Sequence, residues 1–209
     1  MAMKDADADS DGDGVGDGCD PDSDVSHPPN HIVLFEGFKT KPAGNAAFTE
    51  TGSQWTFDGD AVASLTANNQ RLTIGWPSPT SFFFVYTSVQ WVSDPGPTTG
   101  AGTFLLSSPG QNDGWGCLLW DQGGATPRVL ALVDLPTTVG SGDTVAFDYD
   151  TGGSYQARVG FNPATSTVSC SLQATAMSSP SSTGAPVNAA AGVTANGMKA
   201  KFHWVMIVN

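Results

Sequence analysis

The sequence predicts an all-β protein built as a sandwich of two sheets, and three observations support that prediction. The chain of 209 residues contains 25 glycines and 14 prolines, which is typical of many turns between short strands. Only 13% of the residues are charged, and the helix formers Glu, Lys and Arg are scarce. From residue 32 onward, short apolar or alternating runs are separated by clusters of turn-forming residues. The length suffices for one packed core.

The predicted strands follow one another from residue 32 to the end of the chain. Each is bounded by Gly, Pro, Asn, Asp or Ser. They are Ile32–Phe38, Gln54–Phe57, Ala61–Leu65, Arg71–Gly75, Ser81–Val92, Gly102–Ser107, Trp115–Trp120, Arg128–Leu135, Thr144–Tyr149, Ser154–Phe161, Thr167–Leu172 and Lys199–Val208. The connections Ser93–Gly102 and Ser178–Gly192 exceed ordinary hairpin loops, and such loops either shape a binding edge or simply cross the surface.

Turn residues and alternation predict how the strands are arranged. Thr151–Gly153 and Asn162–Pro163 fit tight turns, so each predicts a hairpin between the strands on its two sides. Residues Tyr155–Val159 alternate between apolar and polar, as expected of a sheet with one solvent-facing side. Three further stretches are apolar at nearly every position and predict strands covered on both faces: Phe82–Tyr86, Arg128–Leu135 and Phe202–Val208. A sandwich of two antiparallel sheets accommodates both kinds of strand.

The negative charge is concentrated near the N-terminus. The formal net charge is −12, and residues 5–24 contain nine of the 20 acidic residues. Nucleic acids and anionic membrane surfaces require clustered Lys and Arg, whereas the eight basic residues of this chain are scattered. No apolar run approaches the roughly 18 residues needed to cross a bilayer. We therefore expect cations as partners, and neither nucleic acid binding nor membrane insertion.

The stretch Asp9–Asp20 predicts a calcium-binding loop. An EF-hand loop surrounds Ca²⁺ with oxygen ligands at alternate positions and places glycine at its sharp turn. The sequence meets that spacing, with Gly14 at the turn and Asp20 in place of the usual final Glu, although Pro21 excludes a following helix. The predicted ligands are Asp9, Asp11, Asp13, the Val15 carbonyl, Asp17 and Asp20, and Asp7, Asp22 and Asp24 are candidates for neighbouring sites. The alternative for the whole run is a disordered acidic tail.

Composition divides the chain into four parts. Residues 1–4 look like additions from cloning, and residues 5–26 form the Asp-rich segment. Residues 27–31 form a linker that contains two prolines, and residues 32–209 form the sandwich domain.

The three cysteines permit one internal disulfide. Cys117 and Cys170 each lie in a predicted strand, so a disulfide joins them if the strands are neighbours and the compartment is oxidising. The alternative is two small buried thiols. No Cys-x-x-Cys pair is present, which gives little support to zinc binding.

Residues 5–24 resemble the thrombospondin type 3 repeat. The likeness rests on the Asp-x-Asp-x-Asp-Gly element at Asp9–Gly14 and the Asp-x-Cys-Asp element at Asp17–Asp20. The resemblance implies extracellular calcium binding by an arm that calcium stiffens. It also implies a disulfide at Cys19, whose partner lies either outside this chain or among the other two cysteines.

Residues 31–209 resemble the concanavalin A-like jelly roll of lectins and laminin G-like domains. The similar stretches are LFEGF near the start, YDTGGSYQARVGF in the middle and KFHWVMIV near the end. The resemblance implies a two-sheet antiparallel jelly-roll sandwich whose first and last strands pair, which brings Glu36 near His203. It further implies Glu36 as a candidate metal ligand. His203 stands where relatives often have an acid. The alternative to a metal-binding role for His203 is a buried, hydrogen-bonded side chain.

Six tryptophans suggest a carbohydrate-binding patch. Sugars stack on aromatic rings, and nearby amides and carboxylates bond their hydroxyl groups. The segment Gly110–Gly124 is rich in both kinds of residue, and the predicted site consists of Asn112, Asp113, Trp115, Trp120 and Gln122. The alternative is that the tryptophans fill the core.

No catalytic constellation is evident in the sequence. Retaining glycosidases need two carboxylates about 5–5.5 Å apart, and the only glutamates, Glu36 and Glu50, are far apart in the chain. We expect a secreted or cell-surface calcium-binding protein whose non-catalytic domain recognises a polysaccharide. The alternatives are a structural or adhesive protein that contacts other proteins or itself, and a polysaccharide-degrading enzyme.

Overall fold

The computed structural model describes eleven ranges: residues 32–38, 49–51, 55–64, 70–75, 83–93, 98–106, 113–123, 128–135, 144–173, 175–180 and 190–208. These residues form strands and turns with no helix among them, which confirms the predicted all-β class. Within the same ranges, no helix has the length and apolar character needed to span a membrane. The Asp-rich segment, with its nine candidate calcium ligands, and the linker lie outside the described residues, so their boundaries stay predictions.

Within these ranges, fifteen strands form two antiparallel sheets that face each other. The eight-stranded sheet has the order β13-β12-β11-β6-β15-β4-β3, and β1 also pairs with β15. Its strands are β1 (Ile32–Glu36), β3 (Trp55–Phe57), β4 (Val62–Ser64), β6 (Phe83–Trp91), β11 (Ser154–Asn162), β12 (Thr167–Leu172), β13 (Thr175–Pro180) and β15 (Ala200–Val208). The pairing of the first and last strands agrees with the expected jelly roll.

The seven-stranded sheet has the order β10-β9-β8-β7-β14-β5-β2. Its strands are β2 (Thr49–Thr51), β5 (Gln70–Gly75), β7 (Thr99–Leu106), β8 (Gly114–Asp121), β9 (Arg128–Leu135), β10 (Thr144–Ala146) and β14 (Ala190–Asn196). The main core lies between the sheets and includes the fully buried Trp91, Trp115, Phe161 and Phe202.

A disulfide joins the two sheets through the core. Cys117 in β8 and Cys170 in β12 are both completely buried, and their Cα atoms are 5.1 Å apart. The predicted bond is therefore present, and it connects facing sheets rather than neighbouring strands. Because the chain has three cysteines, Cys19 has no cysteine left to pair with in this chain.

Two sequence predictions about connectivity are wrong. The stretch Ser178–Gly192, predicted as a connection, contains the end of β13 and the start of β14. The turn at Thr151–Gly153 does not close a hairpin, because β10 pairs with β9 while β11 pairs with β6 and β12 in the other sheet. That turn therefore carries the chain from one sheet to the other.

The predictions about the faces of β11 and β9 are confirmed, whereas Phe84, His203 and Trp204 in the other two apolar stretches are only half-buried. In β11, Ala157 and Val159 are buried while Gln156 is exposed, as expected of a strand with one solvent-facing side. In β9, residues 129–133 are all buried. Alternate residues of this strand contribute to the main core and to a second apolar cluster on the other face of the sheet.

Candidate functional site

The predicted carbohydrate patch of residues 112–122 is not one site. Asp113 precedes β8 and Gln122 follows it, and both are exposed. Since the strand has eight residues and each residue advances about 3.3 Å, these two side chains are roughly 26 Å or more apart, at opposite ends of the sandwich. Asn112 lies outside the described residues. Nearness in sequence misled the prediction, because an extended strand separates its two ends.

The two tryptophans of the predicted patch are buried, so neither offers a ring face to a sugar. Trp115 is 1% exposed and stacks on Phe161 in the core, with ring centroids 5.6 Å apart. Trp120 is 3% exposed and lies on the other face of the sheet. Its ring covers Gly100, where an added Cβ would be 2.2 Å from the Trp120 ring. The predicted stacking role of both residues is wrong, and both pack with other apolar groups instead.

Glu36 is half-buried at the end of β1 and is used locally. Its carboxylate oxygen accepts a hydrogen bond of 2.8 Å from the Phe38 backbone N–H, in a tight turn where Phe38 has a φ of 52°. Glu36 lies opposite Val205 in the register, two positions from His203, which is half-buried. Among the described residues, no group of three or more potential metal ligands occurs, so Glu36 belongs to no such group there.

One end of the sandwich brings together polar residues from several connections. This end, which we call the polar rim, consists of Thr98 before β7, Asp121 as the last residue of β8, Gln122 after it, Asp148 and Asp150 before β11, and Asn196 as the last residue of β14. The adjacency of β8, β7 and β14 brings Asp121, Thr98 and Asn196 side by side. Of the predicted site residues, Gln122 belongs to this rim.

Hydrogen bonds hold the Thr98 side of the rim in place. The Thr98 backbone N–H donates to the Asp121 carbonyl at 2.8 Å, and the Asn196 side-chain amide donates to the Thr98 carbonyl at 3.2 Å. The Asp121 carboxylate is 7% exposed and accepts a 2.8 Å bond from the Gly123 N–H. Thr98 has a φ of 67°, which is a strained conformation for a β-branched residue and persists only where its surroundings enforce it.

Aromatic packing holds the Asp148 side of the rim. Tyr149 is buried against Trp91, with ring centroids 4.5 Å apart. The Arg128 guanidinium lies over the Tyr149 ring at 5.0 Å and also donates a hydrogen bond to the Tyr149 carbonyl. The exposed Asp148 and Asp150 therefore flank a residue that is anchored in the core, and their carboxylates extend from a rigid backbone.

The turn between Asp148 and β11 is fixed by further hydrogen bonds. The Gly152 N–H donates to the Trp91 carbonyl at 2.6 Å, and the Gln90 amide donates to the Gly152 carbonyl at 3.0 Å. The Tyr155 hydroxyl accepts a bond of 2.7 Å from the Asp150 N–H. This arrangement presents several exposed hydrogen-bond acceptors at fixed positions, which suits a ligand rich in hydroxyl groups.

Sequence reasoning missed most of the rim. Asp148 falls within the predicted strand Thr144–Tyr149, Asp150 directly precedes the predicted turn Thr151–Gly153, and Thr98 falls within the predicted connection Ser93–Gly102. The sequence carries no signal for their convergence, because it depends on which strands become neighbours. The Trp-rich composition pointed to β8 instead, since it does not distinguish a buried tryptophan from an exposed one.

One ion pair is located beside this end of the sandwich. Lys201 and Asp58 form a 3.0 Å salt bridge at the surface. The hydrogen bond from Lys201 lowers the pKa of the Asp58 carboxyl, and the same bond raises the pKa of Lys201. The Lys201 charge is therefore partly neutralised.

Solved carbohydrate-binding proteins share this fold at low sequence identity. The Emp47p carbohydrate recognition domain matches with a TM-score of 0.63 and 14% identity, over 83% of this chain and 93% of that domain. A seed lectin from Lotus tetragonolobus matches with a TM-score of 0.61 and 15% identity, over 83% and 96% of the two chains. The carbohydrate-binding module CBM66 from Bacillus subtilis matches with a TM-score of 0.57 and 12% identity, over 75% of this chain and 91% of that module. No protein-family model and no curated protein matches the sequence. The shared architecture confirms the predicted lectin-like jelly-roll sandwich.

Proposed function

We propose that the sandwich domain is a non-catalytic carbohydrate-recognition module that binds polysaccharide through the polar rim. The observation that carries this proposal is the extent of the structural likeness. The described fold covers more than nine-tenths of an independent lectin, a carbohydrate recognition domain and a carbohydrate-binding module. Because a fold does not imply a function, the proposal also depends on the rim itself.

The rim has the properties that sugar recognition requires. Directional recognition of hydroxyl groups needs a few polar side chains held on a rigid scaffold. Gln122, Asp148 and Asp150 are exposed. Their sequence neighbours are held in place, since the Asp121 carboxylate accepts a hydrogen bond from Gly123 and Tyr149 packs on Trp91. Since the acceptors are already ordered, binding costs less conformational entropy.

Calcium binding and an extracellular location belong to the same proposal. The ligand spacing of Asp9, Asp11, Asp13, Asp17 and Asp20 supports a calcium-stiffened arm ahead of the sandwich. A disulfide between Cys117 and Cys170 supports an oxidising compartment. Residues 5–24 would then hold Ca²⁺ where the ion is plentiful, and the sandwich would contact the glycan.

A polysaccharide pulldown tests the role of the rim. We expect retention of the chain on an insoluble neutral polysaccharide such as xylan, and loss of retention in the variants Asp148→Asn and Gln122→Ala. Both residues are exposed, so these changes leave the fold intact. Asp113→Asn is the matched control, because Asp113 is also an exposed aspartate but lies at the opposite end of the sandwich.

The same experiment distinguishes the alternatives. Equal retention of Asp148→Asn and the wild type would contradict the rim as the binding site. Retention of no glycan, together with self-association, would favour the structural or adhesive role. Release of reducing ends from the polysaccharide would favour a degrading enzyme.

A calcium titration tests the arm separately. We expect Ca²⁺ to raise the melting temperature of the wild-type chain relative to the chelated chain, because an ion that binds only the folded state stabilises it. The double variant Asp13→Ala/Asp17→Ala removes two ligands and should abolish the increase. A calcium-dependent shift that survives both changes would exclude the assigned loop.

A further inference from the structure

The outer face of the eight-stranded sheet carries a row of side chains that the polar rim does not use. The register places Arg158 opposite Tyr86, Tyr86 opposite Met206, and Met206 opposite Phe35. Because neighbouring strands are about 4.8 Å apart, the row extends roughly 14 Å across the sheet. The two middle side chains of the row are buried, since Tyr86 is 5% and Met206 1% exposed, so the accessible side chains are those at its two ends, Phe35 and Arg158.

One end of the row is an exposed aromatic pair. Phe35 is 55% exposed, which is the largest exposure among the large apolar residues that the structure describes. Its ring stacks on Trp204, with centroids 6.2 Å apart and planes tilted by only 26°. Trp204 is itself half-buried. Two nearly parallel rings at the surface offer an apolar area on which the C–H face of a sugar stacks.

The other end of the row is made flat by a glycine. An added Cβ at Gly160 would lie 2.3 Å from Cδ1 of Phe84, so the Phe84 ring lies across the Gly160 backbone. The Arg158 guanidinium then lies 4.4 Å from the Phe84 ring centroid and 5.8 Å from that of Tyr86. Aromatic rings therefore hold the guanidinium close to the sheet.

Among the residues that the structure describes, Arg158 uses one guanidinium nitrogen for a side-chain hydrogen bond and keeps the outer two unused. Its Nε donates to the Ser171 hydroxyl at 2.8 Å, and among the described residues no carboxylate forms an ion pair with it. A guanidinium held in a fixed orientation binds a carboxylate with two parallel hydrogen bonds. The charge at this end therefore favours an anionic ligand.

We propose that this face, which we call the aromatic platform (Phe35, Trp204, Phe84 and Arg158), binds an acidic polysaccharide of the uronate class. A sugar ring stacks on Phe35 and Trp204, and a carboxylate farther along the chain binds Arg158. The platform is distinct from the polar rim, since the rim lies in the connections at one end of the sandwich and the platform lies on a sheet face. The two surfaces select different ligands, because the described rim exposes acidic side chains and the platform presents a cation.

Titrating the full chain with polygalacturonate in the presence of calcium tests the proposal. We expect Phe35→Ala and Arg158→Gln each to weaken binding about tenfold. Arg158→Lys keeps the charge but loses the two-pronged geometry, so its affinity should fall between the wild type and Arg158→Gln. Binding should also weaken as salt rises, and Arg158→Gln should lose most of that dependence.

Val145→Ala is the matched control for Phe35→Ala. Val145 is 39% exposed and is also apolar, but it lies in β10 of the other sheet, so the change should leave polygalacturonate binding unaltered. The rim variant Asp148→Asn should also bind polygalacturonate as the wild type does. Thermal unfolding of each variant establishes that any loss of binding is not a loss of fold.

Each remaining outcome overturns the proposal. Polygalacturonate binding that survives both Phe35→Ala and Arg158→Gln would place the acidic ligand elsewhere. A wild type that binds xylan but not polygalacturonate would refute the platform and leave the proposed rim function standing. A wild-type dimer that Phe35→Ala converts to monomer, without polygalacturonate binding, would make this face an interface between copies of the chain.

Discussion

Replacing Cys117 and Cys170 together by alanine should lower the free energy of unfolding by about 4 kcal/mol. The disulfide joins residues 53 positions apart, so without it the unfolded chain gains the entropy of a large open loop. For a loop of that size, the chain-entropy relation gives roughly 14 cal/mol/K, which is about 4 kcal/mol at 25 °C. Both side chains are completely buried between the sheets, so the bond links β8 directly to β12.

Urea unfolding followed by tryptophan fluorescence measures this loss. In a thermal scan, the melting temperature should fall by about 8–16 °C, because a domain of this size loses roughly 2–4 °C per kcal/mol. Cys19→Ala is the control and should leave the sandwich transition unchanged, since Cys19 has no pairing partner left in this chain. A loss below about 1 kcal/mol in the double variant would refute the reasoning. It would mean that the sheets hold together without the covalent link.

Two further predictions concern the outer face of the eight-stranded sheet. Gly160→Ala should destabilise the fold by about 1–3 kcal/mol in urea unfolding, because the new methyl group enters the space of the Phe84 ring; unchanged stability would contradict the close packing of that ring. Lys201→Ala should raise the pKa of Asp58 in an NMR titration, because the Lys201 hydrogen bond is the main cause of its lowering. The stabilisation from this pair is fully present above the ordinary aspartate pKa of 3.8 and is lost as the pH falls through the lowered value. An unchanged Asp58 titration would show that the ion pair does not form in solution.

The strands that could be predicted are those in which apolar and polar residues alternate or in which nearly every residue is apolar. The prediction of β11 was correct because apolar residues recur at every second position in Tyr155–Val159. The prediction of β9 was correct because its residues are apolar on both faces. β14 was missed because it consists largely of alanine and glycine, which are poor strand formers. It lies inside a sheet, between β7 and β5, where small residues fit between neighbours that sequence order does not reveal.

The candidate site was harder to predict than the fold. The sequence placed Asp113 and Gln122 in one patch, and the structure separates them by the length of β8. Conversely, Thr98 and Asn196 are distant in sequence and share a hydrogen bond. Phe35 and Trp204 are likewise distant in sequence, and they stack because β1 pairs with β15.

The amino-acid sequence by itself determined the all-β class, the alternation that builds two sheets, and the acidic segment whose spacing predicts calcium ligands. These properties depend on neighbours along the chain, because turn chemistry and side-chain period act over a few residues. Only the tertiary structure decided which tryptophans are buried, which polar residues converge at the rim, and that Arg158 lies among aromatic rings. Those outcomes depend on the order of strands in each sheet, which arises from long-range packing between segments that are remote in sequence.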